Sequence, residues 1–523
     1  MTEAVLRNPV IPGFMPDPSI CRVGEDYYLA ASSFEYFPGV PIWHSRDLVH
    51  WELIGNALDR PDQLRLPPDM PSSGGVYAPT LRHHDGRFYL ATTVVGGAGN
   101  IIVTSEDPAG PWSKPVLVDL PGIDPDLAWD DNGDCWYTRA GVSTVRIDPD
   151  TGTVFGEPVS VWSGTGLRAP EGPHLHHIGR YWYLLIAEGG TERSHAISVA
   201  RGTSPQGPFE PCPSNPLLTH SGHDHPFQNT GHGDLVQAHD GTWWMVLLGV
   251  RPRGRTPYFH GLGREVFLAP VRWEDDWPVV GPLQEQGPAP ALTSTEAPPP
   301  EPATDHFDGD RLAAHWVSVR ERDEEAVRLD ERPGWLTLHA RGTTLDRPGT
   351  VFVGRRQRHP DCTVRARVDA TGGQGGLVVR MDEAHHYEVE ADPDSGELRV
   401  IARIGPLRQV VGRGPLPGEP VLRVDFRTSD ILPPSLTEAP GPGDDPTGTE
   451  PGAPDTISLG YESDGRHVVL AELDGRYLTS EVTTGFTGRV IGMYVTEGTV
   501  AFDWFAMTHA TDSTDAADAA DAT

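Results

Sequence analysis

Residues 178–188 read IGRYWYLLIAE, a glycine turn followed at once by a short run of aromatic and aliphatic residues. Such a run after a glycine turn is typical of a β-strand that begins at a hairpin. The phrase recurs as GEDYYLAAS (24–32), DGRFYLATT (85–93), NGDCWYTRA (132–140) and DGTWWMVLLG (240–249). The repetition indicates one structural unit that returns along the first half of the chain.

The spacing of the turn glycines indicates the size of this unit. Successive glycines lie 62, 47, 46 and 62 residues apart, at Gly24, Gly86, Gly133, Gly179 and Gly241. Repeats of about 40 to 50 residues are typical of the four-stranded blades of a β-propeller. We therefore predict a five-bladed β-propeller over residues 1–284. An irregular sandwich is the alternative, but it does not explain the regular return of the phrase.

The composition and pattern of the sequence change after residue 284. Residues 285–304 are rich in proline and alanine and predict a semi-rigid linker. From residue 305 the segments alternate apolar and polar residues, as in LRVDFRT (422–428), which is typical of strands with one buried face. We predict a β-sandwich over residues 305–511, interrupted by a disordered loop at 432–455, and a disordered acidic tail at 512–523. The whole chain is thus predicted to be all-β.

Composition excludes several classes of function. The net charge of −33 argues against a nucleic-acid partner and suits a neutral ligand such as a sugar. We see no signal-peptide apolar region and no run of membrane-spanning length, so we expect a cytoplasmic protein without a membrane partner. The cysteines have no metal-binding spacing and are expected to be free buried thiols, at Cys21, Cys135, Cys212 and Cys362. The oligomeric state is left open.

Three carboxylates lie at the starts of different repeats. Asp17 stands between Pro16 and Pro18, and a plain turn would explain this locally; Pro18 predicts an extended backbone at Asp17. Asp124 and Glu171 are also next to prolines and also precede aromatic strands. Because a propeller gathers the inner strand of every blade around one axis, we expect the three acids to converge on one pocket.

These stretches together resemble glycoside hydrolase family 43, the inverting β-xylosidases and α-L-arabinofuranosidases. The resemblance runs through GFMPDPSICRVGEDYYLAASSFEYFPGVPIWHSRDLVHW (13–51), SGGVYAPTLRHHDGRFYL (73–90), GIDPDLAWDDNG (122–133), EGPHLHHIGRYWYLLIAEGG (171–190), GHGDLVQ (231–237) and LGREVFLAPVRWEDDWPVV (262–280). It covers the whole predicted propeller. The second domain looks like the concanavalin-like β-sandwich that follows the propeller in the xylosidase branch.

The resemblance implies a role for each acid. Asp17 corresponds to the general base, Glu171 to the general acid, and Asp124 to the residue that raises the pKa of the acid and orients it. Inversion requires an ionised base and a protonated acid, and repulsion by a nearby carboxylate helps the acid keep its proton. Asp126 would share a strand face with Asp124, so alternation alone does not separate them. The family motif selects Asp124.

The resemblance also implies residues that bind the sugar. Phe34 and Tyr77 match positions that wall the pocket, although core packing is an alternative for both, and relatives often have Trp where Tyr77 stands. Arg264 matches an arginine that binds sugar hydroxyls. His232 matches an axial histidine that lies beside calcium or another ion in some members. A hydrogen-bonding core histidine is the alternative, and calcium would need oxygen ligands that the sequence does not identify.

The sequence therefore predicts an exo-acting, inverting glycosidase without an organic cofactor. It would release terminal xylose or arabinose from xylo-oligosaccharides, from arabinose-decorated oligosaccharides or from aryl pentosides. Two alternatives stay open: a carbohydrate-binding propeller without catalysis, and a retaining fructosidase-type propeller in which the first aspartate is the nucleophile. The choice between xylose and arabinose is also open, because one pocket can present similar contacts to both sugars.

Overall fold

The repeated glycine turns lie at equivalent places in the computed structural model, which describes residues 5–292, 301–342, 344–428 and 453–509. Each glycine lies in the turn between two consecutive, paired strands of an antiparallel sheet and has a positive φ, which glycine adopts without a steric penalty. Five such sheets follow one another along the chain. The predicted five-bladed β-propeller is confirmed.

The strands of the propeller unit are as follows. The N-terminal strand is β1 (Val5–Arg7). Blade one contains β2 (Ser19–Val23) and β3 (Asp26–Ala30) and, after β4 (Tyr36–Phe37), which lies outside the sheet of this blade, β5 (Gly39–Ser45) and β6 (Glu52–Leu58). Blade two contains β7 (Gly75–Val76), β8 (Thr80–His84), β9 (Arg87–Val95), β10 (Gly99–Ser105) and β11 (Val116–Val118). Blade three contains β12 (Asp126–Trp129), β13 (Cys135–Arg139), β14 (Ser143–Asp148) and β15 (Thr153–Ser160). Blade four contains β16 (Glu171–Ile178), β17 (Tyr181–Glu188), β18 (Ala196–Gly202) and β19 (Glu210–Pro211). Blade five contains β20 (Gln228–Gln237), β21 (Trp243–Val250), β22 (Glu265–Glu274) and β23 (Trp277–Val280), and β24 (Gln286–Pro288) follows it.

Apolar clusters lie between neighbouring blades. Along β17, Tyr183 and Leu185 pack in a cluster shared with blade five, whereas Trp182, Leu184 and Ile186 pack in a cluster shared with blade three. Similar clusters join blades one and two, one and five, and two and three. Alternate residues of a strand point to opposite faces, so one strand serves two clusters. The aromatic runs of the sequence therefore supply the apolar contacts between neighbouring blades.

The N-terminal segment closes the ring between blades five and one. β1 pairs with β24, and the side chain of Asn8 exchanges hydrogen bonds with the backbone of Leu268 in β22. The N–H of Met15 donates to the carbonyl of Arg264. β24 lies within the stretch predicted as a linker, and its Pro288 is tolerated there because β24 has only one strand partner. Residues 293–300 of that predicted linker lie outside the described residues.

The second unit also consists almost entirely of strands. They are β25 (Thr304–Asp305), β26 (Ser318–Val319), β27 (Val327–Arg328), β28 (Leu336–His339), β29 (Val351–Arg356), β30 (Cys362–Asp382), β31 (His385–Asp392), β32 (Glu397–Ile404), β33 (Leu407–Pro415), β34 (Val421–Thr428), β35 (Asp455–Ser463), β36 (Arg466–Asp474) and β37 (Val490–His509). A 3-10 turn (Gly475–Leu478) and α1 (Ser480–Thr483) precede β37. In the described part of the chain, neither of these helical turns, nor any other helix, is long and apolar enough to span a bilayer.

The two longest strands of this unit build a sandwich. β30 and β37 pair along their lengths with three shifts of register, at which regular pairing is interrupted. The first part of β30 pairs with β34, which continues into β35 and β36, whereas its last part pairs with β31, which continues into β32 and β33. Val364 of the first part and Leu377 of the last part belong to one buried apolar cluster. The predicted β-sandwich is confirmed. Most of the loop predicted at 432–455, and all of the tail predicted at 512–523, lie outside the described residues.

The division into units differs from a single cut near residue 284. One unit is Met1–Arg251 with Arg264–Pro299, and the other is Pro252–Gly263 with Pro300–Thr523. Residues 252–263 lie within the range predicted for the propeller, and their contacts group them with the second unit. His260 Nδ1 lies 2.6 Å from Glu481 Oε1, and the Arg489 N–H donates to the Gly261 carbonyl. These bonds connect residues more than 200 positions apart, which local sequence patterns cannot reveal.

Candidate active site

Arg82 shows that the first strands of all five blades meet at one place. From β8, its guanidinium donates to Ser19 Oγ of β2 at 3.1 Å, Asp126 Oδ1 of β12 at 2.7 Å and Asp234 Oδ2 of β20 at 2.9 Å. It also lies 3.1 Å from His174 Nδ1 of β16. These residues define the axial layer. Local sequence patterns do not reveal this layer, because its charged members pair with one another across blades.

Residues of the predicted site form a second layer next to the axial layer, and in three blades they precede its residues by two positions in the chain. Asp17, Asp124 and His232 precede Ser19, Asp126 and Asp234 by two positions. The rings of His174 in the axial layer and His232 in the second layer are 5.7 Å apart between centroids, so the two layers are neighbours. A spacing of two residues in several blades was a signal available in the sequence, although only the pairing with Arg82 shows its meaning.

Asp17 is buried and held by three side chains. Ser32 Oγ donates to Asp17 Oδ2 at 2.6 Å, Arg264 Nη1 donates to Oδ1 at 3.0 Å, and His232 Nδ1 lies 3.3 Å from Oδ1. Burial alone would raise the pKa of Asp17, but the charges of Arg264 and His232 and the bonds from His232 and Ser32 outweigh it. The pKa of Asp17 is therefore held well below its ordinary value, and the carboxylate is ionised at neutral pH.

The backbone of Asp17 is not extended as the following proline predicted. Its φ is 57°, in the left-handed region. Aspartate adopts this region more readily than most residues, and the bonds to its carboxylate fix the side chain in place. The prediction from Pro18 was wrong because these tertiary contacts outweigh the local preference. Asp124 and His232 are also left-handed, with φ of 55° and 46°.

Glu171 and Asp124 are the two carboxylates of the cluster whose pKa values are raised. The Gly172 N–H donates to Asp124 Oδ2 at 3.1 Å, which ties blade four to blade three. Burial raises the pKa of Asp124 to about 6, since repulsion from Asp17 adds to burial and the attraction of His232 does not offset them. Burial, followed by repulsion from Asp124, raises the pKa of Glu171 to about 7. Glu171 can therefore hold a proton near neutral pH.

Asp126 and Asp124 have different surroundings, and these distinguish their roles. Asp124 precedes β12, whereas Asp126 is the first residue of that strand and is completely buried. Asp126 Oδ1 accepts from Arg82, and Oδ2 accepts from the Leu175 N–H at 2.9 Å. Both of its oxygens are thus engaged in the axial layer.

Phe34 and Tyr77 lie together beside the charged cluster. Their ring centroids are 5.1 Å apart, and the Arg264 guanidinium lies 5.5 Å from the Phe34 ring. Phe34 is buried with a left-handed φ of 49°, while Tyr77 is partly exposed. Burial and the charge of Asp124 raise the pKa of Tyr77. The structure thus brings together all the residues predicted to bind sugar with those predicted to act on it.

Two polar neighbours of the cluster were not predicted. Besides Ser32, Thr191 Oγ1 accepts from Arg264 Nη1 at 3.1 Å. Both follow aromatic strands, at the ends of GEDYYLAAS and of YWYLLIAEGGT. Their hydroxyls fix the orientation of Asp17 and Arg264, and nothing in their local sequence distinguishes them from ordinary loop residues.

The residues below His232 do not fit the calcium ion suggested by the resemblance. Among residues 5–292, 301–342, 344–428 and 453–509, no group of three or more His, Cys, Asp or Glu side chains is arranged to hold a metal. Calcium needs oxygen ligands, but both oxygens of Asp126 and both of Asp234 already accept hydrogen bonds. The positive charge at this point is Arg82.

Comparisons with known proteins agree with this architecture. Residues 6–278 match the family described as "Glycosyl hydrolases family 43". Residues 304–429 and 450–508 match the "Beta xylosidase C-terminal Concanavalin A-like domain". The two matches together cover both units of the chain.

Relatives match over almost their whole length. The chain is 40% identical to the "Non-reducing end alpha-L-arabinofuranosidase BoGH43B" of Bacteroides ovatus, over 97% of this chain and 95% of that protein. It is 36% identical to the "Xylosidase/arabinosidase" of Butyrivibrio fibrisolvens, over 94% and 95%. The solved structure of "Bacteroides ovatus Xyloglucan PUL GH43B" superposes with a TM-score of 0.87 at 37% identity, over 97% of this chain and 100% of the other. With its ring of blades, its buried carboxylates and its second domain all matched, the chain belongs to glycosyl hydrolase family 43 and is a glycosidase.

Proposed function

We propose that this glycosidase removes terminal xylose or arabinose from xylo-oligosaccharides and arabinose-decorated oligosaccharides in a single inverting step. The observation that carries the proposal is the contrast between Asp17 and Glu171 within one buried cluster. The pKa of Asp17 lies well below its ordinary value, and the pKa of Glu171 is raised to about 7. An ionised carboxylate and a protonated one are the pair that inversion requires. The names of the relatives support the choice of pentose substrates.

In this mechanism Asp17 acts on water and Glu171 acts on the leaving group. A water molecule gives a proton to Asp17 while its oxygen bonds to the anomeric carbon. The bond from that carbon to the leaving oxygen breaks, and Glu171 gives its proton to this oxygen. Because water attacks from the face opposite the leaving group, the anomeric configuration is inverted. The proton taken by Asp17 and the proton lost by Glu171 balance over the cycle.

The other charged residues hold the two carboxylates in these states. Asp124 adds negative charge beside Glu171 and so keeps the acid protonated. Arg264 and His232 lie on Asp17 and keep the base ionised. We propose that Arg264 also binds sugar hydroxyls, because a guanidinium offers several donors in a fixed plane.

Phe34 and Tyr77 supply the apolar side of the proposed pocket. Aromatic rings pack well against the apolar faces of sugar rings, while hydroxyl groups bind to polar neighbours. A tilted aromatic pair beside Arg264 and Asp124 gives a terminal pentose both kinds of contact. We propose that this pair sets the exo mode of cleavage.

Hydrolysis of aryl pentosides tests the proposal. Purified protein should release the phenol from aryl β-D-xylopyranoside, aryl α-L-arabinofuranoside or both, and the ratio of kcat/KM values gives the preferred sugar. The absence of hydrolysis of both, with binding of oligosaccharides retained, would favour a non-catalytic carbohydrate-binding propeller. A first-formed sugar with retained configuration would favour a retaining, fructosidase-type mechanism.

We further propose that the protein works in the cytoplasm on soluble fragments. Its cysteines are all free and buried, which suits a reducing compartment, at Cys21, Cys135, Cys212 and Cys362. The net charge of −33 opposes binding to nucleic acid, whereas neutral sugars meet no such repulsion. Fractionation of cells that produce the protein, followed by an assay of each fraction, tests this location.

A further inference from the structure

The axial layer fixes the hydrogen on His174. Arg82 Nη2 lies 3.1 Å from His174 Nδ1, and a guanidinium can only donate. The contact with the guanidinium is the shorter of the two that His174 Nδ1 makes, so we assign Nδ1 as the acceptor, which places the ring hydrogen on Nε2. Asp126 Oδ1, 3.3 Å from the same nitrogen, accepts from the same guanidinium. His174 is thus a neutral imidazole with a defined donor.

That donor lies in the space next to His232. His174 Nε2 is completely buried and has no hydrogen-bond partner among the described residues. The rings of His174 and His232 are 5.7 Å apart between centroids. His232 in turn lies against Asp17 through Nδ1. A short path of contacts therefore leads from Arg82 through His174 and His232 to Asp17.

The charges of the axial layer leave no vacancy for a divalent cation. Asp234 Oδ2 accepts from Ser19, from the Ile20 N–H and from Arg82, and Asp234 Oδ1 lies 2.9 Å from His176 Nε2. A cation placed between His174 and His232 would meet an N–H hydrogen from His174. It would also lie near the fixed positive charge of Arg82, and no oxygen of Asp126 or Asp234 is free to bind it.

We propose that Arg82 is a positioning residue that takes the place of a metal ion at the propeller axis. Its guanidinium pairs with Asp126 and Asp234 and fixes His174, which packs against His232 and so holds Asp17 in place. The enzyme therefore needs no divalent cation. The inference rests on the function proposed above for Asp17.

The first experiment measures metal binding in the wild-type protein without reference to activity. Elemental analysis of the full chain should find well below one equivalent of calcium, magnesium, manganese or zinc. Chelation by EDTA, and addition of calcium chloride, should leave the melting temperature unchanged. In the activity assay, EDTA or calcium chloride should change kcat by less than about twofold, since neither removes a charged group from the site. A bound equivalent of metal, or activity lost with EDTA and restored by calcium, would overturn the proposal.

The second experiment removes the guanidinium. In Arg82→Ala we expect kcat to fall about 100-fold with KM nearly unchanged, because an acid or base that is out of position acts only weakly. Added guanidinium chloride at millimolar concentration should recover at least about tenfold of that loss by refilling the position. The kcat of Arg82→Lys should lie between those of the wild type and Arg82→Ala. Calcium should raise the melting temperature of Arg82→Ala only, because Asp126 and Asp234 then lack the positive charge of the guanidinium.

Arg355→Ala is the matched control. Arg355 is also a buried arginine paired with a carboxylate, Glu301, but it lies in the second unit. Its loss should lower stability and leave kcat and the response to guanidinium unchanged. If Arg82→Ala does not fold, His174→Asn provides the second variant and should lower kcat about tenfold at unchanged KM. Wild-type kcat in a folded Arg82 or His174 variant would overturn the proposal, whereas lack of any pentosidase activity in the wild type would instead overturn the proposed function.

Discussion

Asp17 and Glu171 carry the same functional group and differ in what surrounds it. Asp17 receives bonds from Arg264, Ser32 and His232, so its ionised form is favoured. Burial of Glu171, with a second carboxylate nearby, favours its protonated form. The environment of each side chain, and not its identity, assigns the base and the acid.

The two acids should respond differently to amide substitution. In Glu171→Gln we expect kcat on an unactivated disaccharide to fall about 10³-fold, and less on an aryl pentoside whose phenol leaves without protonation. In Asp17→Asn the loss should be similar on both substrates, because water must be activated in each case. Steady-state kinetics on the two substrates check this. Equal sensitivity of Glu171→Gln to both leaving groups would contradict its assignment as the acid.

The alkaline limb of the pH profile should depend on Asp124. The pKa of Glu171 is raised to about 7, so kcat/KM should fall as the pH rises through about 7 and the acid loses its proton. Asp124→Asn removes a negative charge near Glu171, which lowers the pKa of Glu171. The alkaline limb should therefore move to lower pH by roughly one pH unit.

Profiles of kcat/KM from pH 4 to 10 measure this shift. Asp131→Asn is the control, since Asp131 follows in the same blade with 88% of its side chain exposed. Its profile should match that of the wild type. An unmoved alkaline limb in Asp124→Asn would show that another group controls the proton of the acid.

At the scale of elements, β16 shows how closely the inner strands approach each other. Gly172 has a φ of 54°, and a Cβ at this position would lie 2.6 Å from His232 Nε2 of β20. The missing side chain is what lets His232 reach Asp17 and lets the Gly172 N–H reach Asp124. A glycine is required here by both space and backbone conformation.

Gly172→Ala should damage both stability and activity. We expect a loss of about 1–3 kcal/mol of stability and at least about a tenfold drop in kcat, since the methyl group displaces His232. Gly179→Ala is the control: this glycine lies in the hairpin after β16 with a similar φ of 61° and no atom within 4 Å of the added Cβ. Gly179→Ala should lose about 1 kcal/mol of stability and keep the kcat of the wild type. Thermal unfolding and kinetics of the two variants test this comparison.

The strands were more predictable from the sequence than the contacts that join one blade or segment to another. The glycine turn and aromatic run identify the first two strands of every blade, because turn chemistry and strand propensity are local. Arg82, Asp126 and Asp234 could not be recognised together, since their pairing depends on three different blades. The contacts of the segment 252–263 could not be predicted for the same reason, because its partners come from residues beyond 470. The positions of the acids could be predicted, while their backbone conformation and hydrogen-bond partners required the fold.

At the scale of the whole molecule, the ring confines the reacting groups to one place. Residues from five blades, spread from Asp17 to Arg264, surround a single buried cluster. A terminal sugar that lies on Phe34 and Tyr77 can reach this cluster, and we expect that the interior of a longer chain cannot.

Oligosaccharide digestion should therefore release monosaccharide from the first time point. Internal cleavage would instead produce shorter oligomers early, which chromatography separates from the single sugar. Early proton NMR of the same digestion should show the released sugar first with inverted configuration, because water attacks opposite the leaving oxygen. Early internal fragments would contradict the exo mode, and a retained anomer would contradict the single-step mechanism.

The left-handed backbone at Asp17, Phe34, Asp124 and His232 bears on how this protein can evolve. Each non-glycine residue in that conformation costs of order 1 kcal/mol or more, so the site as a whole opposes folding by several kcal/mol. Glycine would relieve the backbone strain at each of these four positions but would remove the carboxylates, the aromatic ring and the imidazole that form the site. Lineages that keep the activity must gain thermal tolerance elsewhere, in the contacts between blades.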